Sequence, residues 1–320
     1  MDKKAKKTNP FFNIDILSLE QFSSSDLTLL FQKANAIRTI IEKKGYTDIL
    51  KGKLATLLFY EPSSRTFSSF AAAIKRLGGQ VIEYQNPNQT SSAVKGETIE
   101  DSTKVFETYS DVLIMRHPVE GTAKRAADAA KRVPLINAGD GSGEHPTQAF
   151  LDLYTMYRQH KSLNGLKILI VGDLRYGRTV HSLLKGLCLF RGVTVYLLSP
   201  TSLQMPEAVQ SYAKKMGMKI VTIASTKDIP PDCHVWYWTR VQKERFTNIK
   251  EYNKVKLLFV LTQKLVETKA AKNTILMHPL PRVGEIETEV DDDPRALYLT
   301  DQIKNGMYVR MALLALVLRP

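Results

Sequence analysis

The sequence has little cysteine, glycine and proline, and it contains no long apolar run. Two cysteines in 320 residues cannot build a disulfide framework or a four-cysteine zinc site. Seventeen glycines and fourteen prolines are too few for a flexible or fibrous chain. No apolar stretch reaches about 18 residues, and the first residues lack the apolar core of a signal peptide. We therefore expect a folded, cytoplasmic protein that does not associate with membranes.

Lys and Arg outnumber Asp and Glu by 45 to 32, which gives a formal net charge of +13. Such a charge is compatible with nucleic-acid binding, but no RNA-binding signature or zinc-finger spacing is present. An anionic small-molecule substrate explains the charge at least as well, because a basic cleft concentrates anions. The six histidines show no ligand spacing such as H-E-x-x-H, so we expect no metal site.

Strand-like apolar runs alternate with helix-like amphipathic runs along the chain, which is the pattern of parallel α/β sheets. We predict an α/β fold with two doubly wound parallel-sheet lobes, joined near 146–160. Ligands of such sheets bind at the carboxyl ends of strands, here in the crevice between the lobes. The predicted strands are 54–60, 80–84, 111–116, 133–137, 166–172, 193–199, 219–224, 234–239 and 274–278. The predicted helices include 66–77, 98–109, 121–131, 146–160 and 302–318.

The first candidate site is the tetrapeptide Ser63, Ser64, Arg65 and Thr66, between a predicted strand and a predicted helix. Free backbone N–H groups, the positive end of the helix dipole and a guanidinium would all face one anion there. The alternative is ordinary helix capping by a serine. One serine suffices for a cap, so we favour a phosphate site.

Two further candidates follow other strands of the first lobe. Arg116 stands at the carboxyl end of a strand, although a surface charge that ends the strand is the alternative. His145 precedes a helix, where the dipole disfavours its cation, so a neutral ring could polarise a carbonyl oxygen with Gln148 one turn along. A capping or packing histidine is the alternative for His145.

In the second lobe, the segment from Gly172 to Thr179 nearly spells a P-loop, but Arg178 stands where lysine is required. A planar guanidinium suits a carboxylate, so we interpret this segment as an anion site and not as a nucleotide site. Arg240 and Gln242 would lie on one side of an extended segment. With Arg178 they could clamp a dicarboxylate, whereas the alternative for their segment is a basic surface loop.

Two loop-like segments complete the candidates. Residues 88–98 are polar and include Ser91 and Lys95; a solvated surface loop is the alternative. Pro279 and Leu280 lie in a segment with two prolines, which freeze a turn and leave backbone carbonyls pointing outward. The alternative for this segment is a rigid connection between the lobes.

Taken together, the motifs resemble the catalytic chains of the aspartate carbamoyltransferase family, within the aspartate/ornithine carbamoyltransferase superfamily. The match keeps order and spacing over nearly the whole chain. The related ornithine enzymes usually carry His-Cys-Leu-Pro and an S-M-G loop, and neither occurs here, so the resemblance favours aspartate. The motifs are SSRT at 63–66, KGET at 95–98, RHP at 116–118, HPTQ at 145–148, Arg178, RVQ at 240–242 and HPLPR at 278–282.

The resemblance implies an enzyme that transfers the carbamoyl group of carbamoyl phosphate to L-aspartate, the committed step of de novo pyrimidine biosynthesis. It implies a carbamoyl-phosphate domain at 1–148, completed by a C-terminal helix at 302–320, and an aspartate domain at 149–301, joined by interdomain helices. It implies no metal and no cofactor. It also implies a homotrimer with shared active sites, and it leaves open whether a separate regulatory chain binds.

The resemblance also assigns roles to the candidate residues. The catalytic group would be Arg65, Thr66, Lys95, Arg116 and His145. Carbamoyl phosphate would contact Ser63, Ser64, Arg65, Thr66, Arg116, His145, Gln148, Pro279 and Leu280, with Ser91 from a neighbouring subunit. Aspartate would contact Arg178, Arg240, Gln242 and Lys95, the last also from a neighbouring subunit.

Two positions depart from the family pattern, and rival functions stay open. Ser64 stands where threonine is more common, and Phe67 stands where many relatives have arginine. The rivals are a nucleic-acid-binding or P-loop-like protein, a catalytically silent relative and an enzyme with another amine acceptor such as ornithine. Carbamoyl transfer to a chosen acceptor would discriminate among them.

Overall fold

Two parallel sheets organise the chain in the computed structural model, which describes residues 9–86 and 96–320. Each sheet belongs to its own compact unit. The first unit runs to Thr147 and also includes Gly306–Pro320, and the second unit is Gln148–Asn305. The division falls inside two helices, as the next paragraphs show. The prediction of an α/β fold with two parallel sheets is confirmed.

The first unit contains a four-stranded parallel sheet in the order β2-β1-β3-β4. Its strands are β1 (Leu54–Phe59), β2 (Gln80–Gln85), β3 (Val112–His117) and β4 (Leu135–Asp140). Helices α1 (Ser24–Lys44), α2 (Ser64–Arg76), α3 (Ile99–Glu107) and α4 (Thr122–Ala129) lie in the same part of the chain. Strands β1, β3 and β4 are almost entirely buried, as expected for a parallel sheet covered on both faces.

The second unit contains a five-stranded parallel sheet in the order β7-β6-β5-β8-β9. Its strands are β5 (Lys167–Val171), β6 (Thr194–Leu198), β7 (Lys219–Ile223), β8 (Val235–Trp238) and β9 (Ile275–Met277). The remaining helices are α5 (Pro146–His160), α6 (Arg178–Leu187), α7 (Glu207–Lys215), α8 (Ile249–Val255), α9 (Gln263–Lys269) and α10 (Asp301–Leu318). The division between the units falls within α5 and within α10.

Most predicted bounds are met to within about two residues, and two elements show larger differences. Strand β4 starts and ends later than the predicted 133–137, because the chain pairs on through polar and glycine residues to Asp140. Helix α1 was not predicted. It begins with a capping box formed by Ser23 and Asp26 and ends at Gly45, whose φ of +80° suits a left-handed cap.

The described residues include no helix that is long and apolar enough to cross a membrane. Helix α10, the most apolar of the long helices, has 18 residues and is buried along most of its length. Its apolar character therefore reflects packing in the interior of the protein.

Candidate active site

Each sheet reverses its direction of growth once, and several of the predicted site residues lie at these two points. From β1 the chain moves outward to β2, and then places β3 on the opposite side of β1. In the second sheet, β6 and β7 lie on one side of β5, and β8 and β9 lie on the other. Ligands of open parallel sheets bind at the carboxyl ends of strands beside such a reversal. We call these places the first and second reversal points.

At the first reversal point, the turn after β1 leads directly into helix α2. Ser63 occupies the N-cap position, but its side chain makes no capping hydrogen bond. The first turn of α2 carries no acidic residue that would offset the positive end of the helix dipole. Ser64 and Arg65 are exposed, whereas Thr66 is buried. The capping alternative is thus not realised by the Ser63 hydroxyl, and the turn keeps the features of an anion site.

Phe67, which departs from the family pattern, belongs to the hydrophobic interior. Its ring is buried and packs edge-to-face against Phe59 of β1, with 5.2 Å between the ring centroids. Such a contact fixes α2 against the strand that precedes the turn. An aromatic residue is therefore suited to this position.

Arg116 is the penultimate residue of β3, beside β1, and its guanidinium is buried among three groups. Nη2 lies 2.7 Å from Glu61 Oε2, and Nη1 donates to Ala138 O at 3.2 Å. Nη1 also lies 3.4 Å from His145 Nε2. Arginine only donates hydrogen bonds, so the ring nitrogen that faces it accepts, and the His145 ring is neutral in this contact. The expected neutral histidine and the strand-end arginine are therefore neighbours.

Gly139 shapes this arrangement, and sequence reasoning did not select it. It lies in β4 with a φ of +120°. A Cβ there would come within 3.0 Å of Arg116 Nη1 and 3.4 Å of His145 Cδ2. Only glycine combines this backbone with such a close approach. The available signal was a glycine inside the run Asn137–Gly141, immediately after an apolar strand.

At the second reversal point, the buried Asp173 connects the turn after β5 with the segment after β8. Its carboxylate accepts hydrogen bonds from Tyr176 N at 2.9 Å and from Gln242 N at 3.4 Å. Burial raises the pKa of Asp173, although these backbone donors oppose the rise. Gly172, with a φ of +116°, allows the turn to pass Thr239 closely. Sequence reasoning missed Asp173, whose only signal was its place after an apolar strand.

Arg178, Arg240 and Gln242 lie where the sequence predicted them. Arg178 is the first residue of α6, whose first turn has no acidic residue. Val241 is buried between Arg240 and Gln242, which are both partly exposed, as expected for an extended segment. Arg178 thus follows β5, and Arg240 and Gln242 follow β8, the two neighbouring strands at the second reversal point.

Arg240 has a partner that the sequence did not predict. Its guanidinium is paired with the exposed Glu244, with Nη1 3.1 Å from Oε2. This hydrogen-bonded pair raises the pKa of Arg240. Burial of the Glu244 carboxyl opposes its ionisation, yet the bond from Arg240 leaves the pKa of Glu244 lowered. Both groups therefore remain charged in this contact.

The segment after β9 is fixed by a buried histidine. His278 Nε2 donates to Glu285 Oε1 at 2.8 Å, and its Nδ1 accepts from Leu280 N at 2.8 Å. Leu280 has a φ of +58°, and the Leu280–Pro281 peptide bond is cis. Pro279 and Leu280 are both partly buried. The ring thus holds the short segment whose carbonyls were predicted to contact substrate.

The remaining predicted site residues are Gln148, which the structure describes, and Ser91 and Lys95, which it does not. Gln148, in α5, is partly buried and donates through Nε2 to Asp152 at 3.1 Å. Ser91 and Lys95 lie outside the described residues. Within residues 9–86 and 96–320, no group of three His, Cys, Asp or Glu side chains could hold a metal ion.

Known proteins match this chain over nearly its full length. It is 46% identical over 325 residues to multifunctional protein pyr1-3 of Dictyostelium discoideum. The aligned region covers 99% of this chain but 14% of the relative. It is 43% identical to the aspartate carbamoyltransferase catalytic subunit of Methanopyrus kandleri, over 96% of this chain and 98% of that one. The chain thus spans about a seventh of the multifunctional relative and almost the whole single-function subunit.

A solved structure and two family models agree with these relatives. The structure of aspartate transcarbamoylase from Trypanosoma cruzi in complex with carbamoyl phosphate and aspartate has a TM-score of 0.89 at 40% identity, over 97% of this chain and 98% of that one. The model of the carbamoyl-P binding domain of aspartate/ornithine carbamoyltransferase matches residues 15–158. The model of the Asp/Orn binding domain matches residues 164–317. With both domains matched in order, this chain belongs to the aspartate/ornithine carbamoyltransferase family.

Proposed function

We propose that this chain is an aspartate carbamoyltransferase, which converts carbamoyl phosphate and L-aspartate into N-carbamoyl-L-aspartate and phosphate. The observation that carries the proposal is the presence of anion-binding groups at both reversal points. The first offers the free end of α2 together with Arg116, and the second offers Arg178, Arg240 and Gln242. A phosphate and a dicarboxylate are the anions that these two sets fit.

The binding roles follow the chemistry of each group. We assign the phosphate of carbamoyl phosphate to Ser63, Ser64, Arg65 and Thr66. Its carbonyl oxygen is assigned to Thr66, Arg116 and His145, and its amino group to Gln148 with the carbonyls of Pro279 and Leu280. The two carboxylates of aspartate are assigned to Arg178, Arg240 and Gln242.

In the reaction, the aspartate amine attacks the carbamoyl carbon and forms a tetrahedral intermediate with a negative oxygen. Phosphate then leaves with the electron pair of the broken C–O bond, and it accepts the proton that the amine releases. Arg116 and Thr66 stabilise the charge that develops on oxygen, an effect of about 3–4 kcal/mol for a well-aimed donor. Holding the two reactants together contributes up to about 7–11 kcal/mol.

The decisive assay measures carbamoyl transfer by the purified protein, with EDTA present and with either L-aspartate or L-ornithine as acceptor. Formation of carbamoyl-aspartate alone would support the reaction, the acceptor and independence of metal. Transfer only to ornithine would contradict the aspartate assignment of Arg178, Arg240 and Gln242. A folded protein that transfers to neither acceptor would favour a catalytically silent relative.

We also propose a homotrimer in which Ser91 and Lys95 act in the site of a neighbouring subunit. This assembly rests on the family resemblance, since both residues lie outside the described part of the chain. Inactive Lys95→Ala and Arg65→Ala chains, mixed under conditions that exchange subunits, should regenerate a fraction of intact sites. Verified exchange without recovered activity would contradict shared sites. Sedimentation of the purified protein, alone and in cell extract, would show whether a regulatory chain accompanies it.

A further inference from the structure

The buried carboxylate of Asp152 is the centre of a polar network inside the second unit. Asp152 lies in α5, one turn after Gln148, and is fully buried. Three side chains donate to it: Gln148 Nε2 at 3.1 and 3.2 Å, Tyr237 OH at 2.8 Å and Gln302 Nε2 at 2.7 Å. None of the site assignments above uses this carboxylate.

The charge of Asp152 determines which atom of Gln148 is left for a ligand. A carboxylate only accepts hydrogen bonds, so the Gln148 amide must turn its NH₂ toward Asp152. The carbonyl oxygen Oε1 then faces away from the carboxylate as an acceptor. Burial and the neighbouring Asp152 carboxylate raise the pKa of Tyr237, so its hydroxyl stays protonated and donates to Asp152. The amide orientation is therefore enforced electrostatically.

A second arm of the network reaches the segment after β9. Gln302 donates through Nε2 to Asp152, and its Oε1 accepts from His278 N at 3.1 Å. Because the same amide serves both contacts, the Asp152 charge also fixes which end of Gln302 meets the backbone of His278. His278 in turn holds Leu280 N through its ring. One carboxylate thus orients Gln148 and anchors the Pro279–Leu280 segment.

We propose that Asp152 is a positioning residue that makes the enzyme select the carbamoyl NH₂ group, by presenting Gln148 Oε1 and the Pro279 and Leu280 carbonyls as hydrogen-bond acceptors. This inference rests on the proposed function, which assigns those three acceptors to carbamoyl phosphate. The two N–H bonds of an amino group can be shared among these acceptors, whereas a methyl group in its place donates to none. Acceptors of the binding site that are left without a donor disfavour the methyl analogue.

The test compares carbamoyl phosphate with acetyl phosphate, which has a methyl group in place of NH₂ and the same phosphate. In Asp152→Asn, the new amide can donate to Gln148 Oε1, so Gln148 can turn over and present NH₂ to the substrate. We expect the KM for carbamoyl phosphate to rise at least about tenfold, as for lost or misdirected hydrogen bonds. The inhibition constant of acetyl phosphate should change less than about twofold, because its phosphate contacts remain.

Two more variants separate positioning from damage to the fold. Thr155→Val removes a buried hydroxyl from the same helix, where Thr155 bonds Leu151 and Asn305, and should leave the preference for carbamoyl phosphate unchanged. Gln302→Leu keeps the Asp152 charge and cuts only the arm to His278, so a rise of about three- to tenfold in the same KM is expected. If Asp152→Asn does not fold, the KM of Gln302→Leu for carbamoyl phosphate tests the inference instead.

The outcomes are distinct. A folded Asp152→Asn enzyme that keeps its preference for carbamoyl phosphate would overturn the inference, and so would equal losses of affinity for both phosphates. In either case, carbamoyl transfer by the wild-type chain would still support the proposed function. A preference lost equally in Thr155→Val would also overturn it. A wild-type chain that transfers no carbamoyl group would instead refute the proposed function.

Discussion

The two reversal points carry the same kinds of groups but hold them differently. At the first, the Arg116 side chain is 10% exposed and contacts Glu61, a backbone carbonyl and the buried His145. At the second, the Arg240 side chain is 24% exposed and is paired with Glu244, which is itself 54% exposed. At the first reversal point, Arg116 is held by groups in or near the neighbouring strands β1 and β4. The second set includes the guanidinium of Arg240, whose partner Glu244 is in contact with solvent.

This difference suggests a division of labour between the two sets. A buried guanidinium needs several partners to offset its desolvation, and those partners also fix its position before substrate arrives. Donors that are already fixed stabilise a developing charge without having to reorganise. This suits the donors proposed to contact the carbonyl oxygen, which becomes negative during the reaction. A partly exposed ion pair is worth little in stability and can rearrange when a second carboxylate binds. We therefore expect rigidity at the first reversal point and adjustment at the second.

The largest effect should come from Arg65→Ala. The change removes the guanidinium at the free end of α2 while leaving an exposed position of the helix intact. Turnover should fall by at least about 10²–10³, the cost of one well-aimed donor to a reacting group. Lys75→Ala, on the same helix but ion-paired with Glu83, is the matched control and should retain activity. Steady-state kinetics and circular dichroism check both; substantial activity in Arg65→Ala would contradict the phosphate site.

Arg240→Lys should reveal the adjustable character of the second reversal point. A lysine cannot bridge Glu244 and a substrate carboxylate with a planar fork. We expect the KM for aspartate to rise about tenfold or more, in line with the loss of charge-assisted bonds. The KM for carbamoyl phosphate should stay within about twofold. Lys243→Ala, an exposed cation in the same segment, should change neither constant; equal increases in both constants would refute the division.

Gly139→Ala tests the rigidity of the first reversal point. The added Cβ would press on Arg116 and His145, and the φ of +120° is itself strained for alanine. We expect a loss of about 1–3 kcal/mol in unfolding free energy together with a clear loss of turnover. Gly45→Ala is the control, since it has a φ of +80° but no neighbour within 4 Å of the new Cβ. It should lose stability and keep turnover; if both variants keep turnover, close packing at Gly139 does not position the site.

Sequence patterns predicted the strands well because apolar runs of this length must be buried in a parallel sheet. They also predicted which residues follow the strands at each reversal point, although not the strand order itself. The missed features depend on long-range contacts. Gly139 matters only because Arg116 and His145 pack over it, and Asp173 matters because two loops meet there. The pairing of Arg240 with Glu244 depends on a local turn that residue spacing alone did not indicate.

Acidification should weaken both units, since each contains at least one histidine whose pKa is lowered by burial. Burial lowers the pKa of His117 in the first unit, and of His160 and His278 in the second. A histidine with a lowered folded pKa is protonated more readily in the unfolded chain, so stability is present above about pH 6.5 and is lost as pH falls below it. The slope reaches about 1.4 kcal/mol per pH unit for each proton.

Hydrogen exchange at pH 7 and pH 5.5 measures the loss of stability in each unit. Amides of β8 in the second unit, such as those of Trp236 and Trp238, and amides of β3 in the first unit should lose protection at the lower pH. His160→Gln should reduce the pH dependence of the second unit alone. Unchanged protection in both units would contradict the assignment of the pH-sensitive groups.

The smallest effect should come from Ser64→Thr, which restores the residue that is more common in the family. Ser64 is the first residue of α2 and is exposed, so an added methyl group meets solvent and displaces no packed neighbour. Its backbone N–H, which belongs to the free end of the helix, is unchanged. The KM for carbamoyl phosphate and the turnover should therefore stay within about twofold, as for other surface changes. A larger change in either constant would mean that the Ser64 side chain, and not the backbone of the turn, makes the decisive contact with phosphate.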